Sequence, residues 1–307
     1  MDSPPIRPLS LAEVRYQALR RLQATYPFTE AQAIVRLLLR HFLPEWERLW
    51  LTSQGAAPFP PDRLPQWEAA LTAAAQGQPL AYILGYTEFL GHRIRIEPGV
   101  FIPRPETEEW IAWTIQQFSP RPPGRLLEVG SGSGALLVAL GKAFPHTTLF
   151  AIDKNPQAVH LTRQNCQAHG LEVFAEVHDF LETLMPPDWE SYQWDLIISN
   201  PPYVPYADSE LVAPNVRAFE PPEAVFCKEI EFYEQLGRLA LEKLFPGGSM
   251  IVELYPPTAG KVMDLYQKLG LTATLHLDLS GRRRWLMASI DKKVRIFGAV
   301  SGSSSAR

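Results

Sequence analysis

From residue 126 to residue 290 the chain alternates short apolar runs with amphipathic stretches, and the alternation ends in two runs with no helix between them. Few folds accept that order. The runs at 126–129, 149–152, 173–177, 196–199 and 250–254 are rich in Leu, Ile, Val and Phe and read as strands buried in a sheet. Helical spacing fills 134–143, 156–170, 229–245 and 258–269. Asn155 is placed to cap the second of these, Pro156 to open it and Gly170 to close it. Strands joined through helices return parallel to one another. The last two runs, 273–278 and 284–290, are joined only by 279–283 and must pair antiparallel at an edge. The expectation is an α/β fold: a seven-stranded, mostly parallel sheet with helices on both faces and an antiparallel final hairpin.

Before residue 80 no strand is credible. Leu11, Val14, Ala18 and Leu22 share a helix face, with Ser10 as its N-cap. A second helix from about Thr29 turns Ile34, Leu37, Leu38 and Phe42 inward, with His41 beside that face. A third, 62–76, aligns Leu64, Trp67, Leu71 and Ala74, and 55–61 forms a long inner loop. Two short alternating runs, 86–89 and 93–96, flank Leu90-Gly91-His92 and read as a β-hairpin. A stiff segment from Phe101 then opens a helix that runs to about Phe118. The chain therefore divides into a helical domain (1–78), of a size that binds a partner or caps a site, a hairpin linker (79–100), the sheet domain (101–291) and a disordered tail (292–307).

Composition excludes several classes. With 46% apolar and 20% charged residues in 307, the chain can build a core and is not globally disordered. A net charge of −4 argues against a general basic surface for nucleic acid. The best basic cluster, Arg282-Arg283-Arg284, reads as a solvated turn. The two cysteines, Cys166 and Cys227, have no metal-binding spacing, so no metal site and no disulfide framework are expected. No apolar run reaches membrane-spanning length and the start has no leader pattern. A cytoplasmic monomer without stable nucleic-acid or membrane binding is the expectation.

Two motifs carry chemistry. Glu128-Val129 leads into Gly130-Ser131-Gly132-Ser133-Gly134, between the first strand and first helix of the sheet. Glycines there let the backbone turn tightly and let a ligand approach it. Asp153 closes the next strand about 20 residues after Gly132, where a carboxylate can accept from both hydroxyls of a ribose. Gly130-x-Gly132-x-x-Ala135 also satisfies the loose dinucleotide fingerprint. The dense Gly-Ser run, the antiparallel final hairpin and the second motif favour S-adenosylmethionine instead. That motif, Asn200-Pro201-Pro202-Tyr203, ends the fourth strand. Two successive prolines make the chain leave the sheet as a rigid extended turn. Asparagine offers a carbonyl acceptor and an NH2 donor, and tyrosine a flat apolar face. Together they suit a planar group bearing an NH2, such as a side-chain amide or the amino group of a base.

With these motifs in place, the chain resembles the protein-(glutamine-N5) methyltransferases of peptide-chain release factors, the HemK/PrmC family. The matching pieces are Pro79-Leu80-Ala81-Tyr82-Ile83-Leu84-Gly85, Ile102-Pro103-Arg104-Pro105-Glu106-Thr107-Glu108, the glycine loop, Asp153, Ser199 to Tyr203, Phe219-Glu220-Pro221 and Asp278-Leu279-Ser280-Gly281-Arg282. The segment from Ile102 to Glu108 is the most family-specific. The resemblance implies a Rossmann-like class I S-adenosylmethionine-dependent methyltransferase sheet behind a small all-helical domain. It implies donor binding by Gly130, Ser131, Gly132, Ser133, Gly134, Asp153, Phe180 and Asn200. It also implies substrate binding by Asn200, Pro201, Pro202 and Tyr203, and as substrate the glutamine of the GGQ motif of a release factor; for an amide acceptor, the Asn200 oxygen, the Pro201 carbonyl and the Tyr203 ring are the expected catalytic groups. The sequence departs from the family at 223–230 and at Leu254-Tyr255-Pro256-Pro257, the loops expected over the substrate. A flipped adenine, or another protein's glutamine, is the alternative acceptor for the same pocket.

Overall fold

The computed structural model describes residues 7–290. Contacts group the chain into two units, one of residues through Thr87 with Arg95–Ile102 and Leu211–Pro221, the other of Glu88–Ile94, Pro103–Glu210 and the residues from Pro222 on. The expected tail, 292–307, lies outside the described residues.

The first unit is built on α1 (Leu11–Leu22), α2 (Phe28–Phe42), α3 (Trp46–Ser53), α4 (Leu64–Ala75) and α5 (Leu80–Leu84). The start of α1 is a capping box: Ser10 accepts from the Glu13 N–H, and the Glu13 carboxylate reaches back to the Ser10 N–H at 2.8 Å. Its buried face, Leu11, Val14, Ala18 and Leu22, packs with Val35, Leu38, Leu39, Trp67 and Leu71 in one core. The stripe on α2 is Ala31, Ile34, Val35, Leu38 and Leu39, so Leu37, expected inward, stands 43% exposed on the flank. The sequence reading lacked α3 and α5. No residue of α3 is buried and no side chain caps it, while α5 is too short to show a period before Gly85 ends it at φ +77°.

The hairpin consists of β1 (Tyr86–Phe89) and β2 (His92–Arg95), the second strand starting one residue earlier than its spacing predicted. Leu90 (φ 47°) and Gly91 (φ 77°) both adopt positive φ, as a two-residue hairpin turn of type I′ requires.

The remaining elements follow in order: α6 (Pro105–Phe118), β3 (Arg125–Val129), α7 (Ala135–Ala143), β4 (Thr148–Asp153), α8 (Pro156–Ala168), β5 (Val173–Val177), β6 (Trp194–Ser199), β7 (Val204–Pro205), α9 (Pro214–Phe219, in the first unit), α10 (Pro222–Val225), β8 (Phe226–Cys227), α11 (Glu231–Lys243), β9 (Leu244–Glu253), α12 (Ala259–Lys268), β10 (Thr272–Leu277) and β11 (Arg283–Ser289). Seven strands form one sheet in the order β10-β11-β9-β6-β3-β4-β5. The β10/β11 and β11/β9 pairs are antiparallel and the other four parallel. The chain reaches β4 and β5 on one side of β3 and β6 on the other, so the carboxyl ends of β3 and β6 form the crevice where open α/β sheets bind ligands. Leu127, Ile152, Ile197, Met250 and Val252 lie in the sheet core, each worth about 1.5–3 kcal/mol relative to exposure.

Two local readings change. The sequence pointed to a strand beginning at Met250, after Pro246-Gly247-Gly248. In the structure β9 already pairs at Leu244 with Trp194, slips register, and resumes at Ser249 opposite Leu196. Arg284 is not solvated: it is 7% exposed, and its Nε and Nη2 both donate to Asp278 Oδ2 at 3.1 Å. The pieces α9, α10, β7 and β8 occupy a stretch with no period to read.

Candidate active site

Val129 lies opposite Ile152 of β4 and opposite Ser199 of β6, so three adjacent strands end together. The glycine loop, Asp153 and Asn200 each follow or close one of those ends. Ser199, fully buried, ties β6 to β3 by donating its hydroxyl to the Val129 carbonyl at 2.7 Å.

The loop is held from beneath and behind. The N–H groups of Gly130 (2.8 Å) and Ser131 (3.3 Å) donate to the Ile152 carbonyl. Ser131 and Ser133 are buried: Thr162 on α8 donates to Ser131 Oγ at 3.0 Å, and Asn165 Nδ2 donates to the Ser133 carbonyl at 2.8 Å. Gly134 has φ +75°, and a Cβ there would stand 3.0 Å from the Thr162 backbone, so the loop lies against α8 only because that residue has no side chain. Gly132 (φ +53°) is different, since a Cβ there would meet nothing within 4 Å. That open cradle above the loop backbone fits a ligand approaching closely.

Asp153 completes this side. Its Oδ2 accepts from the Gly132 N–H and its Oδ1 from the Asn155 N–H, both at 2.9 Å. Burial pushes its carboxyl above the ordinary value, while those two N–H groups pull it down. An ionised carboxylate has about four acceptor positions, so each oxygen keeps capacity for a diol. Asn155 caps α8 as its sequence predicted, accepting from the Gln157 N–H. Phe180 follows β5, is 4% exposed and has its ring 6.1 Å from that of Phe232. Glu128, just before the loop, is 1% exposed, and its Oε2 has no hydrogen-bond partner among the described residues and no access to solvent. Burial first and Asp153 second raise its pKa well above 4.5.

The other side is arranged by side chains from distant parts of the sequence. Asn200 is half-buried and donates Nδ2–H to Thr107 Oγ1 at 3.3 Å. Pro201 is buried, and Pro202 and Tyr203 are half-buried. The Tyr203 ring stacks on Tyr255, 6.2 Å between centroids and 7° between planes, and its hydroxyl lies 3.4 Å from Glu253 Oε1. Glu253, fully buried, also accepts at Oε2 from Thr107 Oγ1 (2.7 Å) and Trp110 Nε1 (2.8 Å). Burial raises its pKa; the hydrogen bonds from Thr107 and Trp110 and the charge of Arg284 work against that rise. Burial, and next the Glu253 charge, push the Tyr203 phenol far up, so it stays neutral.

Sequence reasoning assigned no role to Thr107, Trp110 or Glu253. One signal was available: Glu253 interrupts the apolar run from Met250 to Leu254, and a carboxylate inside a buried strand requires partners. Tyr255 belongs to the departure from the family pattern and is what stacks on Tyr203. Among the described residues no group of three His, Cys, Asp or Glu side chains could hold a metal ion, and no helix is long and apolar enough to cross a membrane.

Comparison with known proteins adds to this geometry. The family model described as PrmC N-terminal domain matches residues 13–85, and that described as Methyltransferase small domain matches 93–215. A release factor glutamine methyltransferase of Geobacter sulfurreducens is 35% identical over 73% of this chain and 77% of its own length. One from Deinococcus radiodurans is 32% identical over 91% of this chain and 98% of its own. A crystal structure of the hMettl16 catalytic domain in complex with the MAT2A 3'UTR hairpin 6 has a TM-score of 0.51 at 17% identity, covering 70% of this chain and 83% of that one, a likeness of fold. By a relative that matches nearly end to end and another that covers about three quarters of each chain, and by family models covering both the helical region and much of the sheet, the chain belongs to the release factor glutamine methyltransferase family.

Proposed function

We propose that this methyltransferase transfers a methyl group from S-adenosylmethionine to the side-chain amide nitrogen of a glutamine in a peptide-chain release factor, the glutamine of its GGQ motif. The observation that carries the reading is the meeting of the glycine loop, Asp153 and Asn200 at the ends of three neighbouring strands. When bound, the donor supplies an electrophilic methyl carbon on a sulfonium. Gly130, Ser131, Gly132, Ser133 and Gly134 would cradle it, the Asp153 carboxylate would accept from its ribose hydroxyls, and Phe180 and Asn200 would complete its walls.

An amide nitrogen is a poor nucleophile because its lone pair is delocalised, so orientation has to do much of the work. The Asn200 oxygen and the Pro201 carbonyl each accept one N–H of the glutamine amide. These bonds aim the nitrogen and stabilise positive charge growing on it. Pro202 and Tyr203 wall the flat amide, and Tyr255 backs Tyr203. Tyr203 is too weak an acid to serve as an ionised base, and none is needed before transfer because the proton can leave the methylated amide afterwards.

The helical region recognises the protein substrate. The supporting feature is that the chemistry-bearing motifs all lie beyond residue 100. Methyl transfer from labelled donor, compared between a whole release factor, the same factor with its GGQ glutamine replaced by alanine, and a DNA oligomer, tests the reading. Label on the first alone is expected; label on the oligomer would overturn it.

A further inference from the structure

The polarity of Asn200 decides whether the proposed acceptor geometry exists. An asparagine amide has oxygen on one side and NH2 on the other, nearly the same in shape, so it can sit either way round. With its oxygen toward the substrate it receives an N–H; turned over, two N–H donors face each other.

Thr107 settles the choice. Its Oγ1 lies 2.7 Å from Glu253 Oε2 and 3.3 Å from Asn200 Nδ2, and a hydroxyl has one hydrogen to give. Glu253 Oε2 also receives the Trp110 Nε1–H, a group that can only donate, at 2.8 Å. In the ionised carboxylate that oxygen accepts both hydrogens, and in the acid its two donors leave the other oxygen as the better place for the proton. A proton on Glu253 would sit on Oε1, the oxygen facing the Tyr203 hydroxyl. In both states Thr107 gives its hydrogen to Glu253 and keeps only lone pairs for Asn200. The Asn200 NH2 must face Thr107, and the oxygen is turned the other way. The same carboxylate holds Tyr203, so both ends of Asn-Pro-Pro-Tyr are anchored to one buried group.

We propose that Thr107 and Glu253 are positioning residues that fix the face of Asn200 through a one-way chain of hydrogen bonds, from Asn200 N–H to Thr107 O–H to the Glu253 carboxyl. This rests on the reading of Asn200 as the acceptor of the substrate amide. Thr107 and Glu253 act through Asn200 and do not touch substrate.

Single-turnover methyl transfer at saturating donor tests it. Thr107→Val keeps the shape and removes the hydroxyl, so the rate is expected to fall about tenfold, as for loss of one well-placed hydrogen bond. Thr107→Ser restores the hydroxyl and is expected to restore the rate. Donor affinity by calorimetry should be the same in all three. Thr107→Ala, smaller and free of clashes, gives a second hydroxyl-free variant if valine compromises folding, which thermal unfolding would reveal. The decisive comparison uses Asn200→Asp. Its two oxygens are alike, so no face remains to be chosen, and adding Thr107→Val should cost little in that background. A parental rate in the folded hydroxyl-free variants, or an equal cost in the Asn and Asp backgrounds, overturns the proposal. Failure of the underlying reading looks different: Asn200→Ala alone would then keep the parental rate.

Discussion

The two sides of the site are held by different means. On the donor side most of the fixed partners are backbone groups: Asp153 accepts from the N–H of Gly132 and Asn155, and the loop hangs from the Ile152 carbonyl, with the side chains of Thr162 and Asn165 bracing it from α8. On the acceptor side the partners are side chains that meet at Glu253. Side-chain substitution, proline apart, leaves backbone donors in place, so the donor side should lose function in modest steps. A chain of side-chain contacts fails wherever one link is cut. Catalytic loss should therefore concentrate at Asn200 and affinity loss at Asp153.

The largest effect is expected at Asn200. Asn200→Ala removes an oriented acceptor and should lower single-turnover rate about a hundredfold or more, roughly 2.7–4 kcal/mol. Donor affinity should fall less, because the glycine loop and Asp153 remain. Asn200→Asp keeps an acceptor but loses the NH2 that donates to Thr107, so its rate should lie between those of parent and Ala. Saturating donor separates transfer from binding. An Ala variant as fast as the parent would remove the acceptor side as the catalytic one.

Asp153→Ala comes next. Loss of charge-assisted hydrogen bonds to ribose hydroxyls should cost about 1.5–3 kcal/mol of donor affinity by calorimetry. Transfer at saturating donor should be affected much less. Unchanged affinity would mean that Asp153 serves only the Gly132 and Asn155 N–H groups.

The same difference explains what the sequence could disclose. The donor side is local: Gly132 and Asp153 are joined within 21 residues, across one strand-helix-strand repeat whose period is visible. The sheet followed from that alternation, and Ser10 and Asn155 acted as caps because capping is decided within a few residues. The acceptor side is non-local. Thr107 meets Glu253 across 146 residues and Asn200 across 93, and no spacing rule connects them. Likewise α3 and α5 lack the buried stripe or the length that a pattern needs, and the slipped register of β9 depends on Trp194, far back in the chain.

Tyr203→Phe should have a smaller effect. It keeps the aromatic wall and the stack on Tyr255 but loses a hydroxyl contact that is long, at 3.4 Å. A loss near 0.5 kcal/mol, about twofold in transfer rate, is expected. A hundredfold loss would make the hydroxyl a participant in the chemistry.

The smallest effect on transfer is expected at Glu128, which borders the donor loop but has a buried Oε2 that no ligand can reach. Its consequence is for stability, and the sign follows from linkage. Burial and the neighbouring Asp153 raise its folded pKa well above 4.5, opposed only in part by the Leu137 N–H. Between the unfolded and folded values the native state holds a proton that the unfolded state has released, so stability falls as pH rises through that window. Below the window both states are protonated and the penalty vanishes; above it the penalty is complete. Glu128→Gln, neutral at every pH, removes the dependence. Thermal unfolding without donor should show the variant gaining on the parent as pH rises from 4.5, while saturated transfer rates stay within about twofold, the range of surface-like changes of 0.5 kcal/mol or less. A constant difference in unfolding temperature across that range would mean that Glu128 is ionised at no special cost.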